Sequence, residues 1–404
     1  MNYFKIVLLC GALALGSLTG CGEEKTEEPK EPEVKQEEQQ ETEEKTEAEE
    51  TEEKKTEEAE EAEKAEEDVK TEKETVADIH EDMVLTSIRD NGGTRDYTSL
   101  EELNLEPGGH VAVVVKNTKS GYWLNVKKGM EAAVKDMNDK MGFKGDDRIK
   151  LSFEGPADEI DVESQINIID AVLSENPSVL CLAAVDMESC VAQLEAAAEN
   201  GIPVVMLDSG INKCNEGVIC ATDNKKAGAE AAIRLCDAIG AEGKVAVVAH
   251  NPSTQTSFDR ETGFTEELML NHPGLSVAGV IHEEEDVITK DAVKEFLTQN
   301  PDVKGIFCTN QNVSEQVLDA VAESGLEGIQ VIGFDAGKKQ KEAVKNGTEA
   351  GMVVQNPFGM GYATVVVAAR AWQGLENDPF INSGYQWIDN TNVEQTELKN
   401  YLYD

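Results

Sequence analysis

Five polar side chains, Asp208, Arg260, Asn310, Asp335 and Gln355, each come after a short apolar run. The runs are PVVML before Asp208, KVAVVAH upstream of Arg260, KGIFCT before Asn310, QVIGF before Asp335 and AGMVV before Gln355. Carboxylates accept hydrogen bonds, a guanidinium donates through a fixed fork and carboxamides do both. An open α/β sheet presents groups to a ligand at the carboxyl ends of its strands, and the set reads as one polar pocket. Asp and Asn in such places also cap helices and polarise turns, and that reading stays open for each residue. The chain has no Gly-x-Ser-x-Gly elbow, no P-loop, no G-x-G-x-x-G with an acidic partner and no His-Glu-x-x-His run. His250, beside Asn251-Pro252, is the one candidate base, and a place on the pocket rim or in the core accounts for it as well. No catalytic residue, cofactor or metal site is assigned.

The elements that must position these groups follow a βα rhythm. From His110 the order is HVAVVV, a helix over 121–141, RIKLSFE, a helix over 161–175, VLCLAA, a helix over 187–200, and PVVMLD. The pattern restarts at GVICATD, passes through a helix over 225–239, and continues with KVAVVAH, LSVAGVIH, VKGIFCT, IQVIGFD and AGMVVQN. Strands without polar alternation, separated by helices, imply parallel sheets buried on both faces. Two successive series predict two similar doubly wound α/β lobes, with Gly201, Gly243, Gly325 and Gly347 where helices should stop.

The amino terminus carries Lys5, the apolar run IVLLCGALALGSL and then Leu18-Thr19-Gly20-Cys21. Residues 1–20 read as a removable export signal, too short to span a membrane. The Leu-Thr-Gly-Cys tetrad resembles the bacterial lipobox, which implies lipidation of Cys21 and a place on the outer face of the cytoplasmic membrane. Between residues 22 and 75 there are twenty-six acidic residues and nine lysines, with almost no large apolar side chain. Such a segment cannot offset its ordering entropy by burial and is expected to act as a self-repelling tether. Residues 76–107 are expected to form a partly ordered arm. The whole chain has a net charge of -44, which argues against nucleic acid as a partner. Of eight cysteines, none has the spacing of a zinc site. Cys214 and Cys220 flank a short turn and could form a disulfide in an exported protein.

Seven segments, in this order, carry a resemblance over residues 110–404: VAVVVKNTKSGYWLNVKKGMEAA, GIPVVMLDSG, ATDNKKAG, the Asp-Arg-Glu-Thr-Gly-Phe run from Asp259, FCTNQN, VIGFDAG and VVQNPFGMGYATV. The domain resembles the type I periplasmic binding proteins, in particular the ribose- and galactose-type receptors of ABC importers. The resemblance implies two lobes joined by three crossovers, one lobe of 108–222 plus 356–382 and the other of 223–355 plus 383–404. Hinges are implied near Ala221 to Asn224, Gln355 to Pro357 and Asn382 to Gly384, with Thr222, Asp223, Asn356 and Ser383 as the hinge residues. Tyr122 and Trp123 match an aromatic pair that stacks on a sugar, and Asp208, Arg260, Asn310, Asp335 and Gln355 match its polar grip. Lys116 and Ser120 join the implied pocket as departures, since Ser120 stands where the ribose group has asparagine. Ser209 likewise replaces an arginine, which places ribose itself in doubt, while Lys116 is similar to a lysine of the autoinducer-2 receptors. The implied function is a monomeric, lipid-anchored receptor that captures a monosaccharide or polyol for an ABC permease. The alternatives are an autoinducer-2-like sensor feeding a signalling partner and, in a different class, an exported α/β enzyme.

Overall fold

The computed structural model describes residues 85–90, 93–212, 217–284, 287–399 and 401–403. The export signal, Cys21, the acidic tether and Cys214 lie outside the described residues. Two six-stranded sheets organise the remainder. The first comprises β1 (His110–Val114), β2 (Lys150–Glu154), β3 (Val179–Leu182), β4 (Val204–Leu207), β5 (Val218–Ala221) and, late in the chain, β11 (Phe380–Asn382), in the order β11-β5-β4-β3-β1-β2. The second comprises β6 (Gly243–Ala249), β7 (Leu275–His282), β8 (Val303–Cys308), β9 (Gln330–Phe334), β10 (Gly351–Gln355) and β12 (Tyr385–Ile388), in the order β12-β10-β9-β8-β6-β7. Every pairing is parallel except that of β10 with β12. Continuous apolar runs explain the burial: β3 and β10 are buried at every position, whereas β2, at an edge, has no buried residue.

The helices between strands are α1 (Gly121–Met141), α2 (Val162–Ser174), α3 (Val191–Glu199), α4 (Asn224–Ile239), α5 (Gln255–Asn271), α6 (Thr289–Gln299), α7 (Gln311–Ser324), α8 (Lys338–Asn346) and α9 (Pro357–Trp372). Helix α3 starts later than the expected 187, because Asp186 Oδ1 accepts from the Glu188 N–H (2.8 Å) and holds a turn there. The chain passes between sheets after β5, after β10, and between β11 and β12. Strands β11 and β12 are three and four residues long, too short for periodicity to reveal.

Two close helix crossings set the helices that carry pocket residues. In the first lobe α1 packs on α9, where a Cβ on Gly361 would overlap the Val126 carbonyl. In the second, α4 packs on α5, where a Cβ on Gly263 would overlap the Lys225 carbonyl. The described arm is packed against the first lobe, with Ile88, Tyr97, Leu103 and Leu105 buried in its apolar cluster. Tyr97 Oη donates to Asp378 Oδ2 (3.1 Å) and accepts from the Asp378 N–H (2.6 Å). Cys220 is a free thiol buried in β5, with Sγ 3.7 Å from the Met360 carbonyl. Among the described residues no helix is long and apolar enough to cross a membrane.

Candidate functional site

The fourth strand of each series ends in an aspartate with a left-handed backbone: Asp208 (φ 57°) after β4 and Asp335 (φ 70°) after β9. Non-glycine residues hold this region at a cost of about 1–3 kcal/mol, and only where their surroundings over-determine them. Here the surroundings are the ladders, since Asp208 N donates to the Cys220 carbonyl (2.9 Å) and Asp335 N to the Val353 carbonyl (2.8 Å). Both carboxylates are thereby turned off the strand axis into one cavity of ≈ 360 Å³. That volume lies at the small end of ligand sites, roughly 300–1,000 Å³, and suits a single ring better than an oligomer.

On the first lobe Asp208 is gripped by charge. Lys116 Nζ lies 2.7 Å from Asp208 Oδ2, and both side chains are almost fully buried. Tyr122 Oη donates to Asp208 Oδ1 (2.8 Å). Burial, with Asp208 and Asp335 nearby, holds the Tyr122 phenol well above its ordinary range, so it stays a donor. Ser120 caps α1 by accepting from the Trp123 N–H (3.3 Å), which fixes where the aromatic pair leaves the helix. Tyr122 and Trp123 meet edge to face at 5.0 Å, and the Trp123 indole N–H donates to Glu159 Oε1 (2.9 Å). Burial raises the Glu159 carboxyl, against the opposing pull of Lys116 and the Trp123 hydrogen bond.

On the second lobe Asp335 is held by neutral donors. Gln355 Nε2 donates to Oδ1 (2.8 Å) and the Gln311 N–H to Oδ2 (3.3 Å). Burial raises its carboxyl, while Arg260 and the Gln355 bond pull it down. Arg260 projects from α5 with Nε on Asn224 Oδ1 (2.8 Å), Nη1 on the Thr309 carbonyl (2.7 Å) and the guanidinium 3.6 Å over the Phe334 ring. Three kinds of contact leave its fork little rotational freedom. Asn310 caps α7 through the Val313 N–H (3.0 Å) and also lines the cavity, so capping and pocket roles coincide. His250 is bound at Nδ1 by Thr309 Oγ1 (2.7 Å) and at Nε2 by Thr256 Oγ1 (3.0 Å). Burial, then Arg260 and Lys116, hold it well below its ordinary value, so both nitrogens of this neutral ring are engaged.

All nine pocket residues read from the sequence, Lys116, Ser120, Tyr122, Trp123, Asp208, Arg260, Asn310, Asp335 and Gln355, line this one cavity. A polar chain joins the lobes: Tyr122 Oη, bound to Asp208, lies 3.4 Å from Gln355 Oε1, and Gln355 holds Asp335. Ser209 is fully buried away from the lining, so no side chain at that position replaces the missing guanidinium. Glu159, Glu283, Asn312 and Glu315 also line the cavity and were not anticipated. Glu159 and Glu283 follow β2 and β7, the edge strands occupying matching places: Glu283 is the next residue after β7, its N–H donating to the Ala249 carbonyl (2.8 Å), while Glu159 is brought in by the loop after β2. Glu283 accepts from Asn312 Nδ2 (2.6 Å), and burial, then Glu159 nearby, raise its carboxyl. The lobes also touch outside the cavity, where Met187 N donates to the Ser253 carbonyl (3.0 Å) and Gly210 N to Gln255 Oε1 (2.9 Å).

The four hinge candidates gather where the chain crosses between the sheets. Thr222 Oγ1 donates to Gln355 Oε1 (2.9 Å) and lies 3.3 Å from Ser383 Oγ. Asn356 Nδ2 donates to the Ser383 carbonyl (3.3 Å), and Asp223 N to Asn382 Oδ1 (3.2 Å). Asp223 and Asn356 also cap α4 and α9. No cluster of three or more metal-ligating side chains occurs among the described residues.

Residues 111–376 match the model of the periplasmic binding protein domain. The chain is 27% identical over 259 residues to the D-allose-binding periplasmic protein of Escherichia coli, covering 62% of this chain and 80% of that protein. It is 25% identical over 248 residues to the ribose import binding protein of Bacillus subtilis, covering 61% and 76%. Among solved structures, an ABC transporter solute-binding protein from Agrobacterium vitis with bound D-fucose superposes with a TM-score of 0.67 at 31% identity, covering 73% of this chain and all of that one. A carbohydrate transporter solute-binding protein from Agrobacterium radiobacter, in complex with D-arabinose, gives 0.66 at 26% identity, covering 75% of this chain. With two doubly wound lobes around a shared cavity and a match across most of the folded region, the chain belongs to the periplasmic binding protein family, as a solute-binding protein and not an enzyme.

Proposed function

We propose that this protein is a lipid-anchored receptor, held through Cys21 on the outer face of the cytoplasmic membrane, that captures a monosaccharide or related polyol for an ABC permease. The observation that carries the reading is the pair Asp208 and Asp335, two carboxylates at matching strand ends that face one cavity from opposite lobes. Each accepts from ligand hydroxyls, and Arg260, Asn310 and Gln355 donate in return. Tyr122 and Trp123 supply the apolar wall that a sugar ring needs. Thr222, Asp223, Asn356 and Ser383 act as hinges, and closure excludes the water that would compete for these bonds. Pentoses, hexoses and polyols are the candidate ligands because the relatives named above bind D-allose, ribose, D-fucose and D-arabinose.

Lys116 favours a second arm in the test. A buried cation beside Asp208 is an extra donor for ligand oxygens, and since Lys116 is similar to a lysine of the autoinducer-2 receptors, autoinducer-2 is the ligand of that arm. Calorimetry of the purified protein against pentoses, hexoses, polyols and autoinducer-2 should give micromolar or tighter binding to one of them, about -8 kcal/mol or stronger. Absence of heat with all of them at micromolar protein would overturn the reading.

A further inference from the structure

The carboxyl-terminal tail lies beyond the residues that match the family domain, yet it reaches the back of the cavity. Tyr403 is 5% exposed. Its ring meets the Tyr122 ring edge-on at 6.2 Å, and its hydroxyl accepts from the Ala336 N–H (3.3 Å). Tyr122 donates to Asp208, and Ala336 directly follows Asp335. One side chain outside the cavity lining thus touches the supports of both carboxylates.

The tail is itself tied down. Tyr401, 1% exposed, is hydrogen-bonded to Ser87 of the amino-terminal arm and to Gln386 of β12. Ser87 Oγ in turn donates to the Ser383 carbonyl (3.3 Å) at the third crossover.

We propose that Tyr403 is a positioning residue for the ligand site, setting the Tyr122 ring from behind and holding the backbone that aims Asp335. The inference rests on the solute-receptor reading of the same cavity. Tyr403 does not touch the ligand. Its ring blocks a swing of Tyr122 away from Asp208, and its hydroxyl satisfies the Ala336 N–H, which would otherwise be buried without a partner. It is a long-range contribution from the chain end to a pocket built on strand tips.

The test uses the full chain labelled with fluorinated tryptophan, whose three indoles report separately by fluorine NMR. In Tyr403→Ala the Trp123 signal should move, because Trp123 packs on Tyr122, while the Trp372 signal stays. In Tyr403→Phe the ring remains and the Trp123 signal should hold. Calorimetry with D-allose, D-ribose, D-fucose and D-arabinose should show affinity lower by roughly thirtyfold in Tyr403→Ala and roughly tenfold in Tyr403→Phe. A Trp123 signal unmoved in Tyr403→Ala overturns the inference, and so does wild-type affinity in Tyr403→Phe. Should Tyr403→Ala unfold, with the Trp372 signal lost as well, the Phe variant decides alone. A wild type that takes none of the four sugars defeats this ligand class instead, and the fluorine signals still report whether Tyr403 sets the aromatic pair.

Discussion

The two lobes share a backbone plan and differ in how they hold the same group. Both sheets run in the order second, first, third, fourth, fifth, and both place an aspartate in the left-handed region after the fourth strand. On the first lobe Asp208 has a buried cation, Lys116, and a phenol; on the second, Asp335 has an amide, a backbone N–H and a burial-raised carboxyl. The first lobe's aromatic pair is answered on the second by Arg260, clamped over Phe334. Sheet topology therefore determines where a carboxylate stands, and local partners determine its charge and stiffness. Asp208 is preset by an ion pair, whereas Asp335 is held by two uncharged donors that favour its ionised form.

The largest test of this difference is on stability. Asp208→Ala leaves Lys116 without its ion-pair partner in a buried site and should cost about 3–5 kcal/mol, while Asp335→Ala removes the acceptor of two uncharged donors and a carboxylate that Arg260 reaches only through space, and should cost about 1–3 kcal/mol. Denaturant titration checks both, and equal losses would erase the distinction. Arg260→Ala should weaken binding by about 2–5 kcal/mol, because the ligand's hydroxyls lose a charged donor held in place by Asn224 and the Thr309 carbonyl. Titration calorimetry against whichever sugar the wild type takes measures it.

A third test concerns Glu349, buried just before β10 in the second lobe. Its Oε1 accepts from Gln340 Nε2 (3.3 Å), and Oε2 has no hydrogen-bond partner among the described residues. Burial pushes its carboxyl up from 4.5 to about 8. The folded chain therefore keeps a proton that the unfolded chain releases above its ordinary value. The stabilisation is complete below pH 4.5 and is lost as pH rises toward 8, by about 1.4 kcal/mol for each unit crossed. Glu349→Gln should flatten that slope and raise the melting temperature at neutral pH, as thermal melts across the range would show. The smallest expected effect is Ser120→Ala, about 1 kcal/mol of stability from a lost helix cap, read by the same melts.

Much of the architecture was legible beforehand because apolar runs of four to seven residues between helical stretches admit few arrangements. The strand tips at Asp208, Asn310, Asp335 and Gln355 followed directly, since side chains just past a buried strand must emerge at the sheet's carboxyl edge. Glu159 was hidden because it sits in a loop whose path depends on what it packs against, whereas Glu283 directly follows β7 and obeys the same strand-tip rule, though it was not read. Tyr403 was hidden for a different reason: a terminal tyrosine carries no period and no neighbouring motif. Capping a helix does not keep a side chain out of the cavity, since Asn310 and Ser120 do both.

Hydrophobic pattern, helix stops and strand-end chemistry were properties of the sequence alone, because they arise from burial and hydrogen bonding within a few residues of each position. The tertiary structure alone decided which groups share a proton or a charge. The Lys116–Asp208 pair spans ninety-two positions and the Tyr403–Tyr122 contact nearly the whole folded chain. Contacts at such separations depend on how sheets, crossovers and the tail close around one another, which no local run of residues encodes.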